Sequence, residues 1–120
     1  MESVVNESDL TKQVRLAVGA MEGVVLWRNN CGVAEHWNGR NVSRVVYGLA
    51  KGSADLVGIV RADNGTGRFV ALELKALRGR ETPEQRQWLA LVRAVGGYSA
   101  VVRSVDEADA AIEAARRGEP

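Results

Sequence analysis

Arg68-Phe69-Val70-Ala71-Leu72-Glu73-Leu74-Lys75-Ala76 is the stretch from which the fold of this chain is read. Side chains alternate between the two faces of a strand, so Val70, Leu72, Leu74 and Ala76 project to one side and Phe69, Ala71, Glu73 and Lys75 to the other. The first face is wholly apolar and demands a core. The second begins apolar but ends on a Glu and a Lys, and burying either charge without a partner would cost roughly several kcal/mol, of order a whole domain's stability. These two residues need water, each other or a metal ion. By itself a Glu-x-Lys pair on a strand is met by a same-face ion pair worth about 0–1 kcal/mol, so its neighbours decide what it means.

Upstream, Asp55-Leu56-Val57-Gly58-Ile59-Val60 reads as a second strand, separated from the first by Asp63, Asn64, Gly65 and Gly67. The two predict an antiparallel hairpin that brings the Asp55 carboxylate beside Glu73. Downstream, Thr82-Pro83-Glu84-Gln85 is a helix start, with Thr82 as N-cap and Gln85 as the reach-back partner of a capping box. That helix runs to about Val95 and stops at Gly96-Gly97. A strand over Ser99–Arg103 and a helix over Asp106–Arg116 close the chain. At the other end, Leu10, Val14, Ala17 and Val18 predict a helix from about Ser8 to Ala20, capped by Asn6 or Ser8, and Val24–Trp27 predicts the first strand. Trp27 and Trp88 are expected in the core. Residues 32–52 are less regular and read as a long basic loop or hairpin carrying function, with Val42–Tyr47 as an extra strand and Trp37 in a polar setting. The order α-β-β-β-α-β-α requires a parallel crossover between the last two strands, hence an α/β fold with a mixed sheet and helices on its faces.

A chain of 120 residues with 46% hydrophobic and 26% charged residues is read as one domain spanning residues 1–120. Cys31 is its one cysteine, which excludes an internal disulfide and a thiolate zinc site within one chain. No apolar run approaches the roughly 20 residues that span a bilayer, and the start is acidic and polar. The expectation is a cytoplasmic protein without membrane attachment. Net charge is +1, yet the stretch from Arg28 to Arg93 carries 11 Lys and Arg against 6 Asp and Glu. A basic centre of this kind is one mark of a nucleic-acid surface.

Two carboxylates and an ammonium in one cluster match what metal-assisted phosphodiester hydrolysis needs. Carboxylate oxygens hold Mg²⁺ while leaving positions for water and phosphate. The ion neutralises charge on the phosphoryl oxygens and lowers the pKa of bound water, and Lys75 can stabilise the transition state or position water. Lys75 is also expected to keep both acids ionised.

The spaced Asp55 followed by Glu73-Leu74-Lys75 resembles the PD-(D/E)xK nuclease signature. More narrowly, the chain resembles a stand-alone VRR-NUC domain through Trp27-Arg28-Asn29-Asn30, Tyr47-Gly48-Leu49-Ala50-Lys51-Gly52-Ser53-Ala54-Asp55-Leu56, and Glu73-Leu74-Lys75 with Gly79-Arg80-Glu81-Thr82-Pro83-Glu84-Gln85. Ala54 stands where the signature has proline, a position that shapes the turn and is not a ligand. The resemblance implies a restriction-endonuclease-like αβββαβ core and a Mg²⁺-dependent DNA endonuclease, with Mn²⁺ as substitute. It also implies a homodimer acting on Holliday junctions or other branched DNA. Asp55, Glu73, Lys75 and Gln85 are then catalytic, and Glu7, Asp55, Glu73 and the Leu74 carbonyl hold metal, with Asp9 competing for the place of Glu7. Alternatives are a catalytically silent DNA-binding or regulatory module and a general phage or bacterial duplex nuclease.

Arg28, Arg44, Lys51, Ser53, Arg78 and Arg80 are candidate DNA contacts, with Arg40 and Arg86 flanking them, and would track phosphates with little base readout. Asn29, Asn30 and Gly52 are explained as well by turn chemistry. His36 and Cys31 lack the companions that a metal site or a nucleophile requires.

Overall fold

The computed structural model describes residues 6–120. In chain order it contains α1 (Glu7–Gly19), β1 (Val24–Arg28), β2 (Gly32–Asn38), β3 (Asn41–Tyr47), β4 (Leu56–Arg61), β5 (Gly67–Leu74), α2 (Pro83–Ala94), β6 (Tyr98–Val102) and α3 (Val105–Arg116). The fold is α/β. A mixed four-stranded sheet runs β1-β4-β5-β6, and β2 with β3 forms a separate two-stranded sheet. Strand β4 pairs antiparallel with both β1 and β5, whereas β5 and β6 are parallel, as the crossover through α2 requires.

Strand β5 lies inside the sheet, and its alternation organises both layers. Val70, Leu72 and Leu74 are fully buried and meet Leu56 and Val60 of β4 and Val102 of β6. Leu10, Val14 and Val18, spaced four apart along one face of α1, complete this core with Ala108, Ala111, Ile112 and Ala115 of α3. The opposite face is thinner. There Leu89 and Trp88 of α2 meet Ala54, Val57, Ala71 and Val101. This second layer covers only part of the face: Val25, Ile59 and Phe69 lie side by side across β1, β4 and β5 and remain 49%, 46% and 39% exposed.

Local chemistry sets the ends of the helices. Asn6 caps α1, its side chain accepting from the Asp9 amide at 2.8 Å, and Ser104 caps α3 by accepting from the Glu107 amide at 3.0 Å. Elements of the main sheet lie within a residue or two of their expected positions.

Two expectations need correction. Trp27 is 53% exposed rather than in the core, because β1 points Val24 and Leu26 inward and Trp27 toward the open part of the second face. Residues 32–52 hold two strands, not one, with Val33 opposite Val46, Glu35 opposite Arg44 and Trp37 opposite Val42. Among the described residues none covers either side of this hairpin, and nearly all of its residues are exposed. Without burial no polar and apolar alternation is imposed, which is why β2 did not stand out in the sequence. Among the described residues no helix is long and apolar enough to cross a membrane.

Gly58 is where β1 and β4 come closest. A Cβ at this position would lie 1.8 Å from the Val25 carbonyl oxygen, so any side chain forces the strands apart. Gly58→Ala is expected to cost about 1–3 kcal/mol, read as a lowered urea midpoint; an unchanged midpoint would show that the strand spacing is not a constraint.

Candidate active site

The site forms where β4 begins and β5 ends. Leu56 pairs with Leu72 and Val57 with Ala71, so one further step in the same register sets Asp55 beside Glu73. The pairing is secured by side chain as well as backbone: Oδ2 of Asp55 accepts from the Leu74 amide at 2.8 Å. Glu73 belongs to the same face as Ala71, under α2, and is 2% exposed. Lys75 follows directly after β5, anchored by its amide to the Val102 carbonyl at 3.1 Å, and its Nζ lies 3.5 Å from Glu73 Oε1.

Gln85 does two things at once. Its Oε1 accepts from the Thr82 amide at 2.9 Å while Thr82 Oγ1 accepts from the Gln85 amide at 3.2 Å, the capping box anticipated from sequence. Its Nε2 simultaneously donates to Glu73 Oε1 at 3.2 Å. The cap thus aims the amide at the acid.

Glu73 Oε1 therefore has Gln85 and Lys75, but Oε2 is buried with no hydrogen-bond donor. The pKa of Glu73 is pushed up to about 8, first by burial and then by the neighbouring Asp55 carboxylate. Lys75 opposes these effects without overcoming them. The expectation that Lys75 keeps both acids ionised is thus corrected: one ammonium does not offset a neighbouring carboxylate and the loss of solvent.

Glu7 lies at the first turn of α1, half exposed, with Oε1 4.0 Å from Lys75 Nζ. It reaches the site, whereas Lys75 makes no ion pair with Asp9 among the described residues. Among the described residues no group of three or more His, Cys, Asp or Glu side chains is arranged to hold a metal ion. The acids brought together are Asp55 and Glu73, with Glu7 across the lysine from them. Leu74 contributes its amide to Asp55.

The turn before Asp55 is held by Asn29, whose importance the sequence did not reveal. Its Nδ2 donates to Ser53 Oγ at 2.7 Å and to the Ala54 carbonyl at 2.9 Å, its Oδ1 accepts from the Leu49 amide at 3.2 Å, and its own amide donates to the Asp55 carbonyl at 2.8 Å. Ala54, fully buried against Leu89, is held in the turn by these bonds. Gly52 has φ +85°, and a Cβ there would meet the Glu84 backbone at 2.8 Å, so the turn packs directly on the start of α2.

The basic candidates are dispersed. Ser53 spends its hydroxyl within the turn, donating to the Ala50 carbonyl at 2.6 Å and lying 2.8 Å from Cys31 Sγ. Arg28 is exposed at the end of β1, opposite Leu56 and so next to the site. Lys51 is exposed on the turn, while Arg44, Arg40 and His36 lie on the hairpin. Arg78 and Arg80 occupy the loop after Lys75 and share a cleft with Arg86 and Arg103. Arg103 was not singled out by sequence; it lies just past β6 and binds that loop by donating to the Ala76 carbonyl at 2.7 Å.

No known protein family matches the chain, and no curated protein matches it. The functional reading therefore rests on the geometry above.

The raised pKa of Glu73 fixes how stability varies with pH. In the unfolded chain the group titrates near 4.5 and in the folded protein near 8, so the folded state holds the extra proton between these values and loses stability as pH rises through that window. In metal-free buffer, Glu73→Gln is expected to flatten the fall in urea midpoint between pH 5 and pH 9 and to be more stable than the parent at pH 9. A parent and variant with parallel pH profiles would contradict the assignment.

Proposed function

We propose that the chain is a metal-dependent nuclease that hydrolyses DNA phosphodiesters at the Asp55, Glu73 and Lys75 cluster. The observation that carries this reading is the buried, donorless Oε2 of Glu73 in a cluster that also holds the Asp55 carboxylate and the Lys75 ammonium. Two adjacent acids that repel each other in a site with little water fit a small divalent cation, since Mg²⁺ is commonly held by one or two carboxylates and completes its shell with waters and substrate phosphate oxygens. Asp55 and Glu73 would hold it; Glu7 lies close enough to Lys75 to add an outer ligand through water. When bound, such an ion neutralises the phosphate and supplies an acidified water.

The protein's own groups do the remainder. The Leu74 amide and Gln85 Nε2 hold one oxygen of each acid, so both carboxylates are oriented before substrate arrives. Lys75 places a positive charge beside them, held by Glu73 and Glu7, where it can stabilise the added negative charge on phosphorus as water attacks and the P–O bond breaks. The order α1, β1, β4, β5, α2, β6, with β2–β3 inserted after β1, supports reading the fold as restriction-endonuclease-like and the chain as similar to VRR-NUC domains.

A homodimer is part of this reading. Val25, Trp27, Ile59 and Phe69 on the second face of the sheet, with Leu91 and Val95 at the end of α2 beside Phe69, are each 39–79% exposed, on the order of 600 Å² per copy against the ~800 Å² per partner of a specific interface. A second copy related by two-fold symmetry would cover it and set two sites on one substrate, which suits a branched junction with paired strands.

With Mg²⁺ or Mn²⁺ supplied, the protein is expected to cut one or more of a panel of junction, flap, linear duplex and single-stranded DNAs. Asp55→Asn and Lys75→Ala should each lower the rate at least about 100-fold with unchanged circular dichroism. Binding without cutting on every substrate would instead make the protein a silent module. Mg²⁺ should also raise the melting temperature, more at pH 8 than at pH 6, because it competes with the proton on Glu73. For the dimer, Trp27→Glu or Ile59→Glu is expected to convert a concentration-dependent dimer into a monomer by sedimentation velocity; a parent that stays monomeric throughout a concentration series would remove that part of the proposal.

A further inference from the structure

The loop between β5 and α2 encloses a cleft of about 540 Å³ walled by Arg78, Arg80, Arg86 and Arg103, with Glu81 the one acid among its walls. Glu81 is already engaged, 3.8 Å from Arg86 Nε. Four arginines against a single glutamate among the lining residues leave an excess of positive charge that water and mobile anions must screen. The loop is also held in place for the purpose: Arg103 Nη1 donates to the carbonyls of Ala76 at 2.7 Å and Leu77 at 3.5 Å, and the Gly79 amide donates back to Ala76 at 2.9 Å. The cleft adjoins the acid cluster, for a Cβ on Gly79 would lie 3.5 Å from Cδ of Lys75.

We propose that this cleft is a phosphate-binding subsite, taking one phosphate group of a nucleic-acid strand beside the group presented to Asp55, Glu73 and Lys75. The planar fork of arginine matches phosphate oxygens in pairs, and several arginines at different angles close around one phosphate where lysines would act as point charges. Arg103 acts as both wall and tether, since the bonds that hold the loop occupy one of its nitrogens and leave the others to a ligand. The phosphate has two sources, an internal phosphodiester or a terminal monophosphate, and the subsite would govern the spacing between a bound phosphate and the cut. The proposal rests on the nucleic-acid reading for its ligand but not on cleavage.

The test is binding without metal. Fluorescence anisotropy in EDTA would compare duplex and single-stranded oligonucleotides that carry a phosphate or a hydroxyl at the 5′ or 3′ end, on the parent, on an Arg78→Ala, Arg80→Ala double variant, and on Arg15→Ala as a control for lost charge on α1. The double variant is expected to bind about tenfold or more weakly, with the slope of log K against log salt reduced by about 1–2, while Arg15→Ala stays near the parent. If the parent prefers phosphorylated ends and the double variant does not, the ligand is a terminal phosphate; a uniform loss across all ends makes it an internal one. Equal affinity and equal salt slope for parent and double variant would overturn the proposal. A protein that binds through the cleft but never cuts when Mg²⁺ or Mn²⁺ is supplied would sink the nuclease reading alone.

Discussion

A carboxylate buried at the end of an interior strand, next to a second carboxylate, is the constraint around which this molecule is arranged. Glu73 sits on the same face as Ala71 and under α2, where an ordinary core would place an aliphatic residue. Holding it there is unfavourable by itself, as its elevated pKa records. Four directions converge on it: Lys75 after β5 and Gln85 of α2 offset part of the cost by contacting its Oε1, while Asp55 just before β4 adds to it by repulsion, and Glu7 of α1 faces the lysine. Such convergence is costly unless the charges are used, since a well-packed apolar cluster of the same size would be at least as stable.

How each of these groups is delivered says why the site is rigid. Gln85 is held by its own helix cap before it touches Glu73, so its amide loses little freedom on making the second bond. Asp55 is fixed twice, through the backbone by the Asn29 amide and through the side chain by the Leu74 amide. Asn29 in turn ties the end of β1 to the turn 50–54, so a residue outside the chemistry sets the approach of the acid to the sheet. Lys75 is the looser element, attracted by two acids at 3.5 and 4.0 Å without close hydrogen bonding to either. Its stem is confined by burial while its ammonium is shared between the two acids.

Much of this was legible in the sequence. The alternation of Phe69 to Lys75 gave the strand and its two faces, the Thr82-Pro83-Glu84-Gln85 start gave α2 and its capping box, and the antiparallel pairing of two adjacent strands placed Asp55 near Glu73. All of these depend on interactions a few residues apart or on periodicity imposed by burial. What was not legible depends on distant parts of the chain. Trp27 looks like core by its size, but only the placement of α2 over β5 and β6 leaves its side of the sheet open. Arg103 reads as one more solvated arginine until β6 is set beside β5 and carries it to the loop after Lys75. Asn29 reads as a turn former because nothing in a linear chain says that the turn it holds is 24 residues away.

The distribution of apolar surface carries the same logic to a larger scale. One face of the sheet is sealed by α1 and α3, and the other is sealed only where it must be, around the second core that supports Glu73. Beyond it the sheet stays open at Val25, Ile59 and Phe69, and the β2–β3 hairpin stands with Val33, Trp37, Val42 and Val46 exposed on one side. A two-stranded hairpin without packing is marginal in water, and its base is joined to the turn that presents Asp55, through Cys31 and Ser53. Whatever covers the hairpin therefore also steadies the turn. A partner that ordered the hairpin would be felt at Asp55 and Glu73, through Cys31 and Ser53, without touching them.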